Sequence, residues 1–259
     1  MGILEGKKGL IFGVANERSI AWHIAQHAVE QGAECGFSFL PGEKMEARVR
    51  KTLAKGGLED SWIFPCDVSS DEDLDRLFEA ARLQFSSLDF VVHSVAYADR
   101  EYLKPGTFAS TPRSVFAQAL DISAYTLIAI AGRATPLMPD GGSILALSYY
   151  GAEKAASGYN VMGVAKSALE SAARYLAAEL GGQGIRVNSL SAGPCRTLSA
   201  MAVGGIETIL KKVEASAPLQ RNIETAEVGK SAIYLLSDMS SGVTGETHHV
   251  DAGYSAIVT

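Results

Sequence analysis

Two side chains suited to chemistry at a carbonyl group stand seven positions apart in this 259-residue chain. Tyr159 offers a phenol that can donate a hydrogen bond to an oxygen gaining negative charge, and Lys166 offers an ammonium group that can fix a bound ligand. Seven residues make about two helical turns, so both would lie on one helix face, about 10.5 Å apart along the axis. A Tyr and a Lys at this spacing are usually surface residues. What favours chemistry is the context, because a predicted strand ends upstream at Ser148 and is followed by Tyr149.

A strand-to-helix turn near the N-terminus has the features of a nucleotide-binding loop. The first predicted strand ends at Gly13, and a helix follows from Ser19 and Ile20. A glycine here lets the backbone approach a pyrophosphate, which then lies at the positive end of the helix. The usual pattern has three glycines, and only Gly13 is kept. The turn alone therefore fits a dinucleotide site and an ordinary loop about equally well, and Ser19 serves either as a helix cap or as a phosphate ligand.

The end of the second predicted strand bears on which dinucleotide would bind. A carboxylate there would hold the adenosine ribose hydroxyls, and an Arg or Lys would hold a 2′-phosphate. The strand ends instead at Leu40, with Lys44 and Arg48 only further on, which favours NADH over NADPH. Asp67 follows the third strand. It fits a bond to an adenine amine or an ordinary turn residue equally well.

Short apolar runs alternate with longer amphipathic stretches along the chain. This alternation predicts an α/β fold, a doubly wound parallel sheet with helices on both faces. No linker or shift in composition divides it, so we expect residues 1–259 to form a single Rossmann-like domain. Ligands bind beyond the carboxyl ends of strands in such sheets, so the irregular stretches 96–111 and 191–217 should border the site. The predicted strands are Gly9–Gly13, Ala33–Leu40, Trp62–Cys66, Leu88–Val95, Ser143–Ser148, Arg186–Ser191 and Glu246–Val250, and the predicted helices are Ser19–Gln31, Glu43–Lys55, Asp71–Phe85 (capped by Ser69 or Ser70), Arg113–Met138 and Ser157–Leu180.

Composition excludes several classes of protein. Lys and Arg total 23 against 29 Asp and Glu, a net charge of −6, so a nucleic-acid-binding role is not expected. The three cysteines show no paired spacing, which fits a reducing compartment. No apolar run approaches the roughly 18 residues of a membrane-spanning helix. His23 and His27 have a metal-compatible spacing without an evident third ligand, so no metal site is expected. We expect a soluble, cytoplasmic protein.

A set of motifs spread over the chain is more specific than any one of them. Most of the chain, from Leu4 to about Ser255, resembles bacterial enoyl-acyl-carrier-protein reductase, a family of the short-chain dehydrogenase/reductase superfamily. The motifs that carry this resemblance are Gly13 with Ser19-Ile20-Ala21, Asp67-Val68, His93-Ser94, Ser148–Glu153, Tyr159–Lys166 and Arg186–Pro194.

The spacing of Tyr and Lys is the specific mark of the resemblance. Here six residues separate Tyr159 from Lys166. Most other members of the superfamily place the Tyr four positions before the Lys, where this chain has Met162. They also carry a catalytic Ser where this chain has Tyr149. Both differences argue against an ordinary keto-group reductase.

The resemblance implies a role for each residue of the expected site. Tyr159 would meet the thioester carbonyl of the substrate, Lys166 would bind the nicotinamide ribose, and Tyr149 would support the site. The substrate would also contact Ala98 and Met162, together with a loop and helix at about residues 194–217. The expected cofactor contacts are Gly13, Ser19, Ile20, Leu40, Asp67, Val68, Ser94, Val95, Ala96, Lys166, Cys195 and Thr197.

Four positions depart from the pattern of the family. Leu40 stands where a polar residue often touches adenosine, which bears on the choice of cofactor. Ala96 stands where glycine is common, and Cys195 where isoleucine is common. Ile206 stands where an aromatic residue can line the acyl pocket. These last three bear on acyl-chain preference and inhibitor fit.

The resemblance implies an oxidoreductase of fatty-acid biosynthesis. It would reduce the carbon–carbon double bond of trans-2-enoyl thioesters carried on acyl carrier protein, using NADH, in the last step of the elongation cycle. It also implies a homotetramer, and the Ala-rich helices 113–138 and 157–180 would permit close packing between subunits. Neither nucleic acid nor a membrane is expected as a partner. Two alternatives stay open: a keto or hydroxy dehydrogenase of the same superfamily, and a non-catalytic dinucleotide sensor.

Overall fold

The computed structural model describes residues 2–198, 200–202 and 205–257 of the chain. Its strands are β1 Lys8–Phe12, β2 Glu34–Phe39, β3 Ile63–Pro65, β4 Phe90–His93, β5 Gly142–Ser148, β6 Ile185–Ala192 and β7 Thr247–Val250. They form one parallel sheet in the order β3-β2-β1-β4-β5-β6-β7. The strand order reverses between β1 and β4, the point at which doubly wound sheets bind ligands. The predicted fold class is confirmed.

Helices cover both faces of this sheet. They are α1 Ile20–Glu30, α2 Glu43–Ala54, α3 Asp71–Phe85, α4 Arg113–Leu120, α5 Thr126–Ala134, α6 Asn160–Leu180, α7 Ile206–Ser216 and α8 Thr225–Leu236. Strand β1 shows why helices must cover both faces of the sheet. Ile11 lies in an apolar cluster with α1, α2 and α8, whereas Leu10 and Phe12 lie in a second cluster with α3, α5 and α6. Successive side chains point to opposite faces, so a strand that is apolar at every position must be covered on both sides.

The helix that carries Lys166 begins later than its sequence pattern predicts. The prediction started it at Ser157, but α6 starts at Asn160, and Tyr159 occupies the cap position just before the first turn. Tyr159 has helix-like backbone angles, whereas Asn160 has φ +45°. The phenol therefore enters the site from the junction of a loop and a helix, and not from within a regular helix.

The predicted single helix 113–138 has an irregular centre. Helices α4 and α5 are joined by a π-helical turn at Asp121–Tyr125, and a short 3₁₀ turn at Thr135–Leu137 ends the stretch. By length and composition, Arg113–Leu137 could cross a membrane, which corrects the sequence-based expectation that no stretch is long and apolar enough. Its inward side chains, such as Leu127 and Ile130, lie fully buried in the second apolar cluster. This is the packing of a core helix in a globular fold.

The N-terminal caps of three helices agree only in part with the sequence predictions. Ser70 accepts a hydrogen bond from the Asp73 backbone N–H, which confirms it as the cap of α3. Ser19 precedes α1 but does not cap it with its side chain, because its hydroxyl donates to the Asn16 carbonyl oxygen at 2.6 Å. Helix α8 was not predicted. It begins at a capping box in which the Glu224 and Glu227 side chains each accept a hydrogen bond from the other's backbone N–H.

Candidate active site

A cavity of about 550 Å³ lies beyond the carboxyl ends of β1, β4, β5 and β6. Loops that follow these four strands build its walls, together with the starts of α1 and α6 and part of α7. This is the place expected for a ligand in a doubly wound sheet. The structure brings the following predicted site residues together in its wall: Gly13, Ser19, Ile20, Ser94, Val95, Ala96, Ala98, Tyr149, Tyr159, Met162, Lys166, Cys195 and Thr197.

Leu40, Asp67 and Val68 lie outside this cavity. Leu40 is exposed just after β2, and Val68 packs on the second apolar cluster. The carboxylate of Asp67 accepts hydrogen bonds from the backbone N–H of Ser69 at 3.0 Å and from its hydroxyl at 2.7 Å. Asp67 is therefore a turn residue in this structure, and its bond to an adenine amine stays a prediction. Because β2 and β3 end at the same sheet edge as β1, a contact of these three residues with a long ligand stays a prediction.

The turn after β1 approaches the end of β4 so closely that only glycine fits. Gly13 has φ +97°, and a Cβ at this position would lie 2.1 Å from the carbonyl oxygen of Ser94. Both residues line the cavity, next to the start of α1. Bare backbone beside a helix N-terminus is what a pyrophosphate requires, so this part of the cavity fits a dinucleotide.

The two tyrosines of the site pack edge to face. The ring centroids of Tyr149 and Tyr159 are 4.8 Å apart, and the ring planes meet at 69°. Gly151 allows this packing, since a Cβ there would lie 2.5 Å from Cδ1 of Tyr159 and 2.9 Å from Cδ1 of Tyr149. The backbone therefore fixes the position of the Tyr159 ring.

Both phenols keep their protons at neutral pH. Burial raises the pKa of Tyr149 to about 12. Burial also raises the pKa of Tyr159, and the nearby Tyr149 and Glu170 raise it further because each disfavours a second negative charge. At neutral pH both side chains are hydrogen-bond donors, as stabilisation of a developing oxyanion requires.

Lys166 lies at the base of the cavity, with only 6 % of its surface exposed. Its Nζ donates a hydrogen bond to the carbonyl oxygen of Leu147 at 2.6 Å. Burial lowers its pKa to about 8, and the Glu170 carboxylate one helical turn away opposes that shift. Glu170 is itself buried, which raises its pKa, and it accepts a hydrogen bond from the Ser148 hydroxyl. The ammonium group is thus positioned by α6 and the end of β5 together.

The π-helical turn holds the loop after β4. The Ser123 hydroxyl accepts from the backbone N–H of Tyr97 at 3.0 Å and lies 3.1 Å from the carbonyl oxygen of the same residue. His93 is fully buried, and its Nε2 lies 2.8 Å from Oγ1 of Thr126. Burial, and then the charge of Lys166, lower the pKa of His93 to about 3, so its imidazole is neutral. These contacts fix the loop that carries Ala96 and Ala98.

Several cavity residues were missed in the sequence. No motif marks Tyr97, Leu103 or Ile209, because an apolar residue in a loop or an amphipathic helix carries no signature of its own. Their only sequence signal is their place in the stretches 96–111 and 191–217. Apart from residues named above, the missed part of the wall comprises Ala15, Asn16, Asp99, Arg100, Leu147, Ala192, Gly193, Leu198 and Ala200.

Known proteins that are similar in sequence and structure identify the family of this chain. The family described as enoyl-(acyl carrier protein) reductase matches residues 13–255. An NADH enoyl-acyl-carrier-protein reductase of Rhizobium meliloti is 49% identical over 99% of this chain and 93% of its own length. An NADPH enzyme of the same name from Staphylococcus aureus is 48% identical, with 98% of each chain covered. The solved structure of the reductase from Anaplasma phagocytophilum in complex with NAD is 46% identical, covers 100% of this chain and 97% of that one, and superimposes with a TM-score of 0.94. The resemblance noted in the sequence is confirmed, and this chain belongs to the enoyl-acyl-carrier-protein reductase family.

Proposed function

We propose that this protein reduces the carbon–carbon double bond of trans-2-enoyl thioesters carried on acyl carrier protein, with NADH as the reductant, in the last step of fatty-acid elongation. One observation carries the proposal for this chain's own residues. Tyr149, Tyr159 and Lys166 lie in the wall of one cavity, and that cavity opens where the strand order of the sheet reverses.

The cavity fits a dinucleotide at its β1 side. Gly13 leaves room for a phosphate beside Ser19 and Ile20 at the start of α1. When bound, NADH supplies the hydride for the β-carbon of the substrate. Around the nicotinamide half we place Ser94, Val95, Ala96, Lys166, Cys195 and Thr197, and around the adenosine half Leu40, Asp67 and Val68.

The choice of NADH rests on the side chain at the tip of β2. Leu40 is apolar and exposed there, and neither Lys44 nor Arg48 occupies the tip itself. A 2′-phosphate would need a cation at this position, whereas the ribose hydroxyls of NADH do not. NADH is therefore the expected cofactor.

Tyr159 performs the central electrostatic step. Negative charge develops on the thioester oxygen as hydride reaches the β-carbon, and the protonated phenol donates a hydrogen bond to that oxygen. A preorganised donor costs no reorganisation at the moment of reaction. Tyr149 packs against the ring and keeps it in place, and Lys166 holds the ribose.

The acyl chain faces an apolar wall. Ala98, Leu103 and Met162 are buried together in a small cluster against which Tyr159 packs. Ile206 and Ile209 of α7 line the same cavity, in the segment at about 194–217 that we assign to substrate binding. Ser199, Val203 and Gly204 of that segment lie outside the described residues.

Buried Met162 argues against the keto or hydroxy dehydrogenase. It occupies the place four residues before Lys166 where such enzymes carry their phenol, and it is 6 % exposed within the apolar cluster. A thioether there cannot donate a proton to a ketone.

A single assay tests the function. We expect reduced-nicotinamide absorbance to decay when a crotonyl thioester is added with NADH, more slowly with NADPH, and not measurably with an acetoacetyl thioester. Faster reduction of the acetoacetyl thioester would favour the keto reductase. NADH binding without turnover of either thioester would favour the dinucleotide sensor.

We also propose a cytoplasmic homotetramer. The three cysteines are free and buried, as suits a reducing compartment. Large apolar side chains stay exposed along α4, the π-helical turn and α5, at Phe116, Tyr125 and Ile128. A second surface, with Tyr234 exposed, lies by the edge strand β7. A tetramer with three two-fold axes needs two different interfaces on each chain, and we assign them to these two surfaces.

The mass in solution tests the tetramer. At micromolar concentration we expect about four times the 27.3 kDa chain mass. Ile128→Glu places a charge in the α5 face and should lower the mass to that of a smaller oligomer. Leu83→Glu, at an equally apolar but separate exposed position on α3, is the matched control and should leave the mass unchanged. A wild-type chain that sediments as a monomer would contradict the proposal.

A further inference from the structure

Asn160 adopts a backbone conformation that a regular helix does not use. Its φ is +45°, in the left-handed region, although it is the first residue of α6 and directly follows Tyr159. Residues other than glycine enter this region at a conformational cost, which asparagine tolerates better than most. Such residues persist where surrounding contacts hold them, and they concentrate at functional sites.

The contacts that hold Asn160 come from one loop. Its Nδ2 donates to the carbonyl oxygens of Tyr102 and Lys104, each at 2.8 Å, and lies 3.1 Å from Oγ1 of Thr107. The amide therefore gathers three acceptor oxygens that belong to the stretch 102–107.

That stretch belongs to the loop 99–107, which forms part of the cavity wall and has little regular structure of its own. Asp99, Arg100 and Leu103 line the cavity, in and beside a single 3₁₀ turn. The loop's own hydrogen bonds are all local and span two or three residues, such as Tyr102 N to Asp99 O at 3.0 Å and Thr107 Oγ1 to Lys104 O at 2.8 Å. They shape the loop but do not attach it to the rest of the fold. The Asn160 amide bonds are equally short and join the loop to α6, so they restrain its position.

The same loop also packs against the residues around the phenol. Leu103 is 4 % exposed and lies in the apolar cluster of Val161 and Met162, against which Tyr159 packs. Two contacts therefore join the loop to Tyr159. One is the apolar cluster, and the other is the side-chain amide of Asn160, the residue that follows Tyr159.

We propose that Asn160 is a positioning residue that couples the substrate loop 99–107 to the Tyr159 phenol. When the loop closes on the acyl thioester, the phenol is oriented at the same time. The proposal rests on the proposed function. Asparagine suits this place for two reasons. Its amide donates two hydrogens to carbonyl oxygens, which a carboxylate would repel, and its backbone tolerates a positive φ.

Two variants separate the side chain from the backbone. Asn160→Gly keeps the left-handed conformation and removes the amide, and Asn160→Asp keeps the size but places oxygens against the three acceptors. For both we expect kcat with a crotonyl thioester to fall about tenfold or more, with Asp the more severe. The dissociation constant of NADH should stay unchanged, because the loop lies on the substrate side. The matched control is Gln220→Gly, which relaxes another left-handed residue (φ +50°) outside the cavity.

Hydrogen exchange supplies a readout that does not depend on turnover. In the ligand-free protein, backbone amides of residues 102–107 should exchange faster in Asn160→Gly than in the wild type, while those of β5 should not change. Wild-type kcat together with wild-type exchange in Asn160→Gly would overturn the coupling. Faster exchange with wild-type kcat would also overturn it, because the amide would then be a structural restraint only. A wild-type protein that fails to reduce the crotonyl thioester would instead count against the proposed function.

Discussion

Tyr159→Phe is expected to lower kcat for a crotonyl thioester by about 10² to 10³ and to leave KM nearly unchanged. One preorganised donor aimed at a developing oxyanion contributes about this much, and it contributes in the transition state rather than in the ground state. The phenol is a donor across the working range of pH, because burial holds its pKa above the ordinary value. Steady-state kinetics with saturating NADH measure the effect.

The phenylalanine variant isolates the hydroxyl group. The ring contacts with Tyr149 and the close approach to Gly151 do not involve the hydroxyl, so the variant should fold normally. Tyr150→Phe is the matched control. Tyr150 is the tyrosine that precedes Tyr159 in the chain, but its ring contacts His249 and Tyr254 outside the cavity. Loss of its hydroxyl should therefore not change kcat.

A second variant moves the phenol without removing it. In Gly151→Ala the new Cβ would lie 2.5 Å from Cδ1 of Tyr159, so the ring has to shift. Gly151 has no positive φ, so the backbone itself accepts alanine. We expect a fall in kcat of about 10²-fold from misplacement alone. Wild-type kcat in both Tyr159→Phe and Gly151→Ala would remove Tyr159 from the reaction.

The sheet could be predicted because its signal is local and repeated. Most strands are apolar at successive positions, as Leu10, Ile11 and Phe12 of β1 show, and an amphipathic stretch follows most of them. That pattern admits few folds other than a doubly wound sheet. The spacing of Tyr159 and Lys166 could be read as well, although Tyr159 lies at the entrance of α6 and not within it.

The parts that could not be predicted depend on contacts between distant residues. The π-helical turn Asp121–Tyr125 exists where Ser123 bonds the backbone of Tyr97, and no local propensity encodes an extra residue in a helical turn. The left-handed Asn160 likewise depends on a loop more than 50 residues earlier. Helix α8 did carry a local signal, but its cap is Glu224, which is outside the usual set of capping residues.

The largest effect on cofactor binding is expected at Lys166. Lys166→Ala should raise the dissociation constant of NADH about 10- to 100-fold, because hydrogen bonds that involve a charged group contribute more than neutral ones. Lys154→Ala removes an exposed lysine that precedes α6 and lies outside the cavity, so it is the control and should bind NADH normally. Quenching or transfer of NADH fluorescence measures both. An unchanged dissociation constant in Lys166→Ala would exclude Lys166 from cofactor binding.

The pH dependence of NADH binding tests the charge of Lys166 separately from its shape. Burial lowers the pKa of Lys166 in the ligand-free protein to about 8, below the model-peptide value of 10.5. Because the ammonium form binds the anionic cofactor better, the wild-type dissociation constant should rise as pH increases above 8, by up to about tenfold for each pH unit. Lys166→Arg keeps its charge throughout this range and should show no such rise, even if its affinity is lower at every pH. A rise of equal slope in Lys166→Arg would assign the titration to another group.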